Sequence, residues 1–377
     1  LEELSEQLGP EKLERGGLII QTTLDYDLQI QVNCAASAQI IRMEEVRSEN
    51  STPSAIECQA ARLLPTLTMD SKAAQGNLSA QVLVLDVRSG HVLALSGDSN
   101  SSQTRLHQAN HEPGSLMTPF IYLTAFTRGM SPASLVWDIP LYSSNNQQVQ
   151  SNPIYHGPVS LRTALANDYL ISAAQILGQV GPESVWRISH EFGLTSLNVL
   201  DINGFLEDKP LLSGGQATLL QMGQAYSVFA NQGVLAGQIS RTASASTGLL
   251  PLKPITVLTV KDIRGRSLVN CTDQPVNCTP QVRPIVSPQL AYLVTDMVSD
   301  EPARWPTLGH PNALEIGRPA GAKIGQVGTQ AQAWTAGFTP QIATVVWMGE
   351  TSGREQTLES DITAKAAAGL WHAVIQY

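Results

Sequence analysis

The sequence lacks the features that would commit it to a membrane or to nucleic acid. None of its apolar runs reaches the roughly 18 residues that a membrane-spanning helix needs. Its 23 lysines and arginines are outnumbered by 32 aspartates and glutamates, and no basic stripe interrupts the chain. The net charge of −9 therefore makes nucleic acid an unexpected partner. Charged residues amount to 15% and hydrophobic ones to 42%, which indicates a folded globular protein rather than a disordered chain.

Cysteine is also scarce, with four residues in the 377. Cys271 and Cys278 flank a turn-rich segment, whereas Cys34 and Cys58 lie in neighbouring predicted helices. Neither pair has the Cys-x-x-Cys spacing or the clustered histidine of a zinc site, so no metal is expected, and nothing points to another cofactor. Two interpretations stay open: a pair of disulfides, which would indicate an extracytoplasmic protein, or free buried thiols.

The first 75 residues have a mixed character. Residues 1–16 are charged and helix-prone, a strand is predicted at 18–23, and Asp25 is a good N-cap for a helix that runs to about Val46. A polar break follows at 47–56. We interpret residues 1–75 as a linker or pedestal and residues 76–377 as the main domain.

In this main domain, predicted strands near both ends bracket a helical region. Strands are predicted at 82–86, 91–95, 333–338 and 343–348, with a peripheral hairpin at 255–269. Helical patterns dominate 116–233 and return at 287–299 and 361–375. This order predicts an α/β fold with a central antiparallel sheet flanked by helices.

Several segments resemble, in order, the transpeptidase domain of class A (bifunctional) penicillin-binding proteins. The resemblance covers roughly 17–375 and rests on five stretches: 17–29, 85–94, 113–120, 219–233 and 333–340. It implies the penicillin-binding protein and serine β-lactamase fold. It also implies a family whose substrate is a peptidoglycan stem peptide ending in D-Ala-D-Ala.

That family acylates a serine with three elements, of which the first is Ser-x-x-Lys. Residues at i and i+3 of a helix face the same way, so the amine can take the hydroxyl proton. Ser115 matches the nucleophile, but Thr118 stands in place of the lysine, and no Ser-x-x-Lys occurs anywhere in the sequence. A threonine hydroxyl is no base at neutral pH. We therefore expect Ser115 to serve as a helix N-cap rather than as a nucleophile.

The second element, Ser-x-Asn, falls on 161–174 in the family's register. That register puts Asp168 at the serine and Leu170 at the asparagine. Asp168 can still accept hydrogen bonds, whereas Leu170 cannot bind a peptide amide.

The third element resembles Lys-Thr-Gly and is carried here by Lys323, Ile324, Gly325 and Gln326. Lys323 keeps the positive charge, and Gly325 would let a substrate backbone approach the strand. Ile324 and Gln326 replace the hydroxyl residues that help to hold the substrate's carboxylate in the family.

Together these changes predict a pseudo-transpeptidase, because loss of a general base alone costs about 10²–10⁴ in rate, or roughly 3–5.5 kcal/mol of barrier. We expect a binding or scaffold module for cell-wall strands or cell-wall proteins, with no stable β-lactam adduct. The alternative is an active acyl-serine transpeptidase that binds penicillin through Ser115. The resemblance implies an upstream glycosyltransferase module and a membrane anchor outside this segment, and hence a location in the cell envelope.

Overall fold

The computed structural model of the chain describes residues 4, 8–45, 58–67, 78–97, 109–140, 154–199, 202, 215–239, 251–270, 280–326, 332–350 and 360–377. Over these residues, no helix is both long enough and apolar enough to cross a lipid bilayer.

The helices are α1 (Pro10–Glu14), α2 (Tyr26–Glu45), α3 (Gln59–Arg62), α4 (Thr118–Thr127), α5 (Leu161–Ala166), α6 (Leu170–Val180), α7 (Pro182–Glu191), α8 (Leu219–Ala230), α9 (Pro288–Val298), α10 (Glu301–Leu308) and α11 (Ser360–Gln376). The strands are β1 (Leu18–Thr22), β2 (Leu78–Asp86), β3 (Val92–Ser96), β4 (Leu135–Asp138), β5 (Gly157–Ser160), β6 (Val234–Ile239), β7 (Leu252–Lys253), β8 (Val257–Asp262), β9 (Ser267–Asn270), β10 (Gln281–Pro284), β11 (Gly321–Gln326), β12 (Ala333–Phe338) and β13 (Ile342–Glu350).

A five-stranded antiparallel sheet in the order β11-β12-β13-β2-β3 forms the centre of the fold. Because successive side chains of a strand point to opposite faces, β2 supplies two cores. Leu83 and Leu85 belong to the core under the helical region, whereas Val82 and Val84 belong to the core under α2 and α11. The sheet is therefore sandwiched between two helical layers, and its edge strand β11 comes from near the C-terminus.

The predicted α/β fold with a central antiparallel sheet is confirmed, and local capping explains several boundaries. The Ser160 hydroxyl accepts a hydrogen bond from the backbone N–H of Thr163 at the start of α5, and Ser287 caps α9 in the same way. The Asp25 carboxylate accepts from the N–H of Leu28 as α2 begins. Pro182 opens α7, where its missing N–H costs nothing.

Helix α4 is buried on every side, from Thr118 through Phe126. A helix that is apolar all round can be stable only inside the protein. It lies between the sheet and the outer helices, which fixes the preceding residues, including Ser115, deep in the fold.

The N-terminal segment contacts the main domain through α2, whose Val32 and Met43 are buried in the core it shares with α11. The structure joins Cys34 on α2 to Cys58, just before α3, by a disulfide. Cys271 and Cys278 lie outside the described residues. The division into a 1–75 pedestal and a 76–377 domain stays a prediction.

Candidate active site

Ser115 lies in a single 3₁₀ turn, Gly114–Met117, that leads directly into α4. Its side chain does not cap a helix, so the expectation of an N-cap role is wrong. The hydroxyl instead faces strand β11, because the turn that precedes α4 packs against that strand. Ser115 is buried, with 1% of its surface exposed.

Thr118 begins α4, three residues after Ser115. Its hydroxyl donates a hydrogen bond to the backbone carbonyl of Ser115 at 2.8 Å and does not bond to the Ser115 hydroxyl. This is the usual local bond of a threonine to a preceding turn of helix. The side chain is only 2% exposed, so it has no route to solvent for proton exchange.

The Asp168 Oδ2 accepts a hydrogen bond from the Ser115 hydroxyl at 3.0 Å. Asp168 sits in the short loop between α5 and α6 with a φ of +55°, a left-handed conformation that aspartate and asparagine adopt more readily than most residues. Burial raises the pKa of the Asp168 carboxyl, and the neighbouring Lys323 and Ser115 oppose that shift.

Lys323 on β11 completes the group. Its Nζ lies 2.5 Å from Asp168 Oδ1 and donates to the backbone carbonyl of Ile324 at 3.2 Å. The lysine side chain is 6% exposed and that of Asp168 24%. The ammonium thus neutralises the carboxylate in a site that is largely closed to water.

We call Ser115, Asp168 and Lys323, with the backbone of Ile324 and Gln326, the serine network. The Ser115 Oγ accepts a hydrogen bond from the N–H of Gln326 at 3.1 Å and lies 3.3 Å from the Ile324 carbonyl oxygen. A backbone N–H next to a serine nucleophile is the kind of donor that stabilises an oxyanion. Here that donor is bonded to the serine itself.

The outer edge of β11 is occupied by the protein's own side chains. Arg304 donates to the carbonyl of Ala322, Lys323 to that of Ile324, and the N–H of Gln326 donates to Ser115. An edge strand whose groups are bonded internally offers fewer partners to an added strand. At Gly325, a Cβ atom would lie 2.5 Å from Leu116 Cγ, so the missing side chain admits the Ser115 turn to the strand.

Leu170 does not face the serine network as a polar partner. It begins α6 and packs, partly buried, against the core of the helical region. The structure thus brings together Ser115, Asp168, Lys323, Ile324 and Gln326, which come from three distant segments. Leu170 supports their frame.

Asn167 is a positioning residue that sequence reasoning missed. Its side-chain amide donates to the carbonyls of Thr163 and Ala303, and its Oδ1 accepts from the N–H of Thr307. These bonds tie the Asp168 loop to α10. The signal available in the sequence was an asparagine directly before Asp168.

A cavity of about 650 Å³ adjoins the serine network. Asp168, Lys323, Ile324 and Gln326 line one part of it. The rest is lined by residues of α5, α9, α10, α11, the loop 311–315 and the segment 63–67. Ser115 does not line it. The described residues contain no group of three or more histidine, cysteine, aspartate or glutamate side chains arranged to hold a metal.

Comparison with known proteins finds similarity to penicillin-binding proteins in both sequence and fold. The sequence model described as "Penicillin binding protein transpeptidase domain" matches residues 80–245, which include Ser115 and Asp168 but not Lys323. Penicillin-binding protein 1A of Vibrio cholerae is 26% identical over 293 residues, covering 72% of this chain and 35% of that protein. Penicillin-binding protein 1C of Escherichia coli is 24% identical over 261 residues, covering 69% of this chain and 29% of that protein. The chain thus spans about a third of the length of the curated relatives it matches.

Solved structures agree on the fold. PonA1 of Mycobacterium tuberculosis superimposes with a TM-score of 0.73 at 20% identity, covering 100% of this chain and 88% of that one. Penicillin-binding protein 1A of Haemophilus influenzae gives 0.72 at 18% identity, covering 100% and 68%. Residues 80–245 thus match the model of the penicillin-binding protein transpeptidase domain, and the chain as a whole has the fold of penicillin-binding proteins.

Proposed function

We propose that this chain is the transpeptidase-like domain of a peptidoglycan-synthesising protein and that it does not acylate its serine. It acts instead as a binding or scaffold module in the cell wall. The observation that carries the proposal is the bonding of Ser115. Its hydroxyl donates to a carboxylate that is already paired with Lys323, while Thr118 turns its own hydroxyl to a backbone carbonyl.

The chemistry of acylation requires a base that can take the serine proton as the carbonyl is attacked. Asp168 is a poor candidate because its charge is neutralised by Lys323 at 2.5 Å. Lys323 is equally poor, since its ammonium protons are held by Asp168 and the Ile324 carbonyl. The loss of a general base costs about 10²–10⁴ in rate.

The burial of Ser115 and the internal bonding of β11 add a second barrier. A substrate would have to displace the Ser115 hydroxyl from the Gln326 N–H before an oxyanion could use that donor. It would also have to find room at an edge where Arg304 and Lys323 already occupy carbonyls. Both costs fall on the transition state as well as on substrate binding.

We also propose that the domain works outside the cytoplasm, as expected for a cell-envelope protein. The Cys34–Cys58 disulfide supports this location, because disulfides persist mainly in oxidising compartments.

The test is the intact mass of the protein after hours with a large excess of penicillin V, alongside the Ser115→Ala variant. PonA1 of Mycobacterium tuberculosis, whose structure in complex with penicillin V is known, serves as the positive control. We expect no adduct on either form of this chain while PonA1 is modified. A stable mass increase that disappears in Ser115→Ala would overturn the proposal in favour of an active acyl-serine enzyme.

The binding role has its own measurement, which is co-sedimentation of the folded chain with purified peptidoglycan. We expect Ser115→Ala to sediment as the wild type does, because binding does not use the nucleophile. Absence of sedimentation would leave a protein partner as the scaffold's target and remove the cell-wall strand.

A further inference from the structure

The peripheral three-stranded sheet, in the order β1-β8-β9, has one covered face and one open face. On the covered face, Val260 packs against leucines of α1 and of the residues before it. Because successive side chains of a strand point to opposite faces, Ile19 and its register partner Lys261 lie on the other face. The hydrogen bond from the Thr259 hydroxyl to Gln21 joins the next pair on that side. Ile19 is 61% exposed there, so the open face meets solvent.

The turn between β8 and β9 adds a second isoleucine to this end of the sheet. Ile263 is 83% exposed, which is the highest value among the large apolar side chains in the part of the chain that the structure describes. Its Cβ lies 3.8 Å from the position that a Cβ would take at Gly17, so the turn runs beside the start of β1. The two exposed isoleucines therefore lie on neighbouring segments at the same end of the sheet.

The same turn carries positive charge without a partner. Asp262 accepts hydrogen bonds from the N–H groups of Arg264 and Arg266, and it pairs with the Arg266 side chain at 2.7 Å. Lys261 and Arg264 are exposed, and no carboxylate of the described ranges forms an ion pair with either. Three cations against one carboxylate give the turn 261–266 a net charge of +2, in a chain whose net charge is −9.

The covered face does not cancel this charge. Two carboxylates and two cations of residues 10–15 balance one another there: Glu11, Glu14, Lys12 and Arg15. The bonds of Asp262 also fix the shape of the turn, because they hold the backbone on both sides of Gly265. The turn thus presents an apolar side chain and two free cations in one fixed arrangement.

We infer that this face and its turn dock on an anionic lipid surface. The two isoleucines enter the head-group region, and Lys261 and Arg264 meet the lipid phosphates. Segments that lie in a membrane interface combine apolar side chains at this depth with lysines and arginines. The charge complementarity favours lipid over a protein partner, because the cores of protein interfaces are depleted of charged residues. This surface goes beyond the proposed scaffold role and does not depend on whether Ser115 reacts.

The probe is co-sedimentation of the folded chain with vesicles of phosphatidylglycerol and phosphatidylcholine in equal amounts. Vesicles of phosphatidylcholine alone are the matched control. Each cation near an anionic surface contributes about fivefold to affinity, so two should give a preference of about 25-fold for the anionic vesicles. High salt should remove most of this preference. Equal partition into the two kinds of vesicle, or no partition at all, would overturn the proposal and leave this face to a protein partner.

Two variants locate the contact. Ile263→Asp should weaken partition into the anionic vesicles about tenfold or more, because it removes the apolar tip and adds a negative charge. Ile154→Asp, at a position that is 67% exposed outside the peripheral sheet, is its control and should bind as the wild type does. Arg264→Gln should weaken partition about fivefold. Arg187→Gln, whose side chain is 63% exposed on α7, should leave it unchanged.

Folding of each variant is checked by urea unfolding before sedimentation. The substituted side chains are exposed, so stability close to that of the wild type is expected. Should Ile263→Asp fail to fold, Arg264→Gln and the comparison of the two kinds of vesicle still decide the matter. Partition of wild-type strength in both folded variants would place the lipid contact elsewhere and overturn the proposal.

Discussion

The serine network and the cavity beside Arg304 meet at the edge of strand β11. The buried charges are paired with opposite charges in the network, whereas the buried cation Arg304 bonds only to backbone carbonyls. In the serine network each charged group has an opposite charge in contact, as Lys323 and Asp168 do at 2.5 Å. In the cavity, Arg304 has only two backbone carbonyls. A completed network holds a structure in place, whereas an incomplete one leaves buried donors without acceptors. The same substitution should therefore have different consequences on the two sides.

The largest effect is expected from Lys323→Met, which removes the cation from the serine network. Asp168 would be left as a buried carboxylate without its partner, and breaking such a pair costs about 4 kcal/mol of the free energy of unfolding. Urea unfolding at pH 7 measures this loss. Lys261→Met at an exposed position is the matched control and should change stability by less than about 0.5 kcal/mol. A loss equal to that of the control would mean that the ion pair contributes nothing.

The second largest effect is expected from removing the Cys34–Cys58 disulfide with the double variant Cys34→Ala/Cys58→Ala. The disulfide closes a loop with a sequence separation of 24. The chain-entropy relation gives a stabilisation of about 3.5 kcal/mol for a loop of that size. Unfolding by urea without reductant should show this loss in the double variant. If the variant is as stable as the wild type, the segment 58–67 is held by its packing alone.

The protein should lose stability in acid because of His111, which lies a few residues before the Ser115 turn. His111 stacks on Trp347 with 3.8 Å between ring centroids, and burial lowers its pKa to about 4. The unfolded chain binds a proton near pH 6.5, so below that value it holds more protons than the folded protein and stability falls with pH. Between pH 7.5 and 4.5 this one group removes about 2.5 kcal/mol of the free energy of unfolding.

His111→Gln should therefore flatten the pH dependence of urea unfolding by that amount. Above pH 7.5 the two curves should run parallel, because the histidine is then neutral in both states. Parallel curves down to pH 4.5 would show that His111 becomes protonated in the folded protein as easily as in the unfolded one.

The smallest effect on stability is expected from Arg304→Met, which is the counterpart of Lys323→Met. Among the described residues, no carboxylate contacts this buried cation, and its removal leaves two carbonyls without their donor. An apolar side chain of similar length should keep stability within about 1 kcal/mol of the wild type, since replacing a poorly satisfied charge is often neutral. A loss of stability as large as that of Lys323→Met would show that Arg304 contributes as much to stability as the paired Lys323 does.

Local patterns in the sequence predict most of the fold. Helix starts are marked by Ser160, Pro182 and Ser287, and the apolar run at 82–85 predicts a strand of the central sheet. These signals act over a few residues, so they can be read without the structure. The bounds differ by a few residues; β2, for example, begins at Leu78.

The candidate site is harder to read because its parts are far apart in the chain. Only the resemblance to a family placed Ser115, Asp168 and Lys323 together, and it could not reveal which atoms bond. That the carboxylate stands between the serine and the lysine depends on the +55° φ of Asp168 and on the Asn167 bonds. The burial of Arg304 has no local signal, since α10 is short and carries polar and aromatic residues alike.

The disulfide holds the segment 58–67, which forms one wall of the cavity, without making it part of the central sheet. The segment 58–67 is joined to α2 by one disulfide and by two hydrogen bonds, from Arg42 to the Pro65 carbonyl and from the Ala60 N–H to the Gln31 side chain. It contributes no strand to the central sheet. Substitutions at Leu63, Thr66 or Leu67 can therefore reshape one wall of the cavity while the sheet and the serine network keep their form.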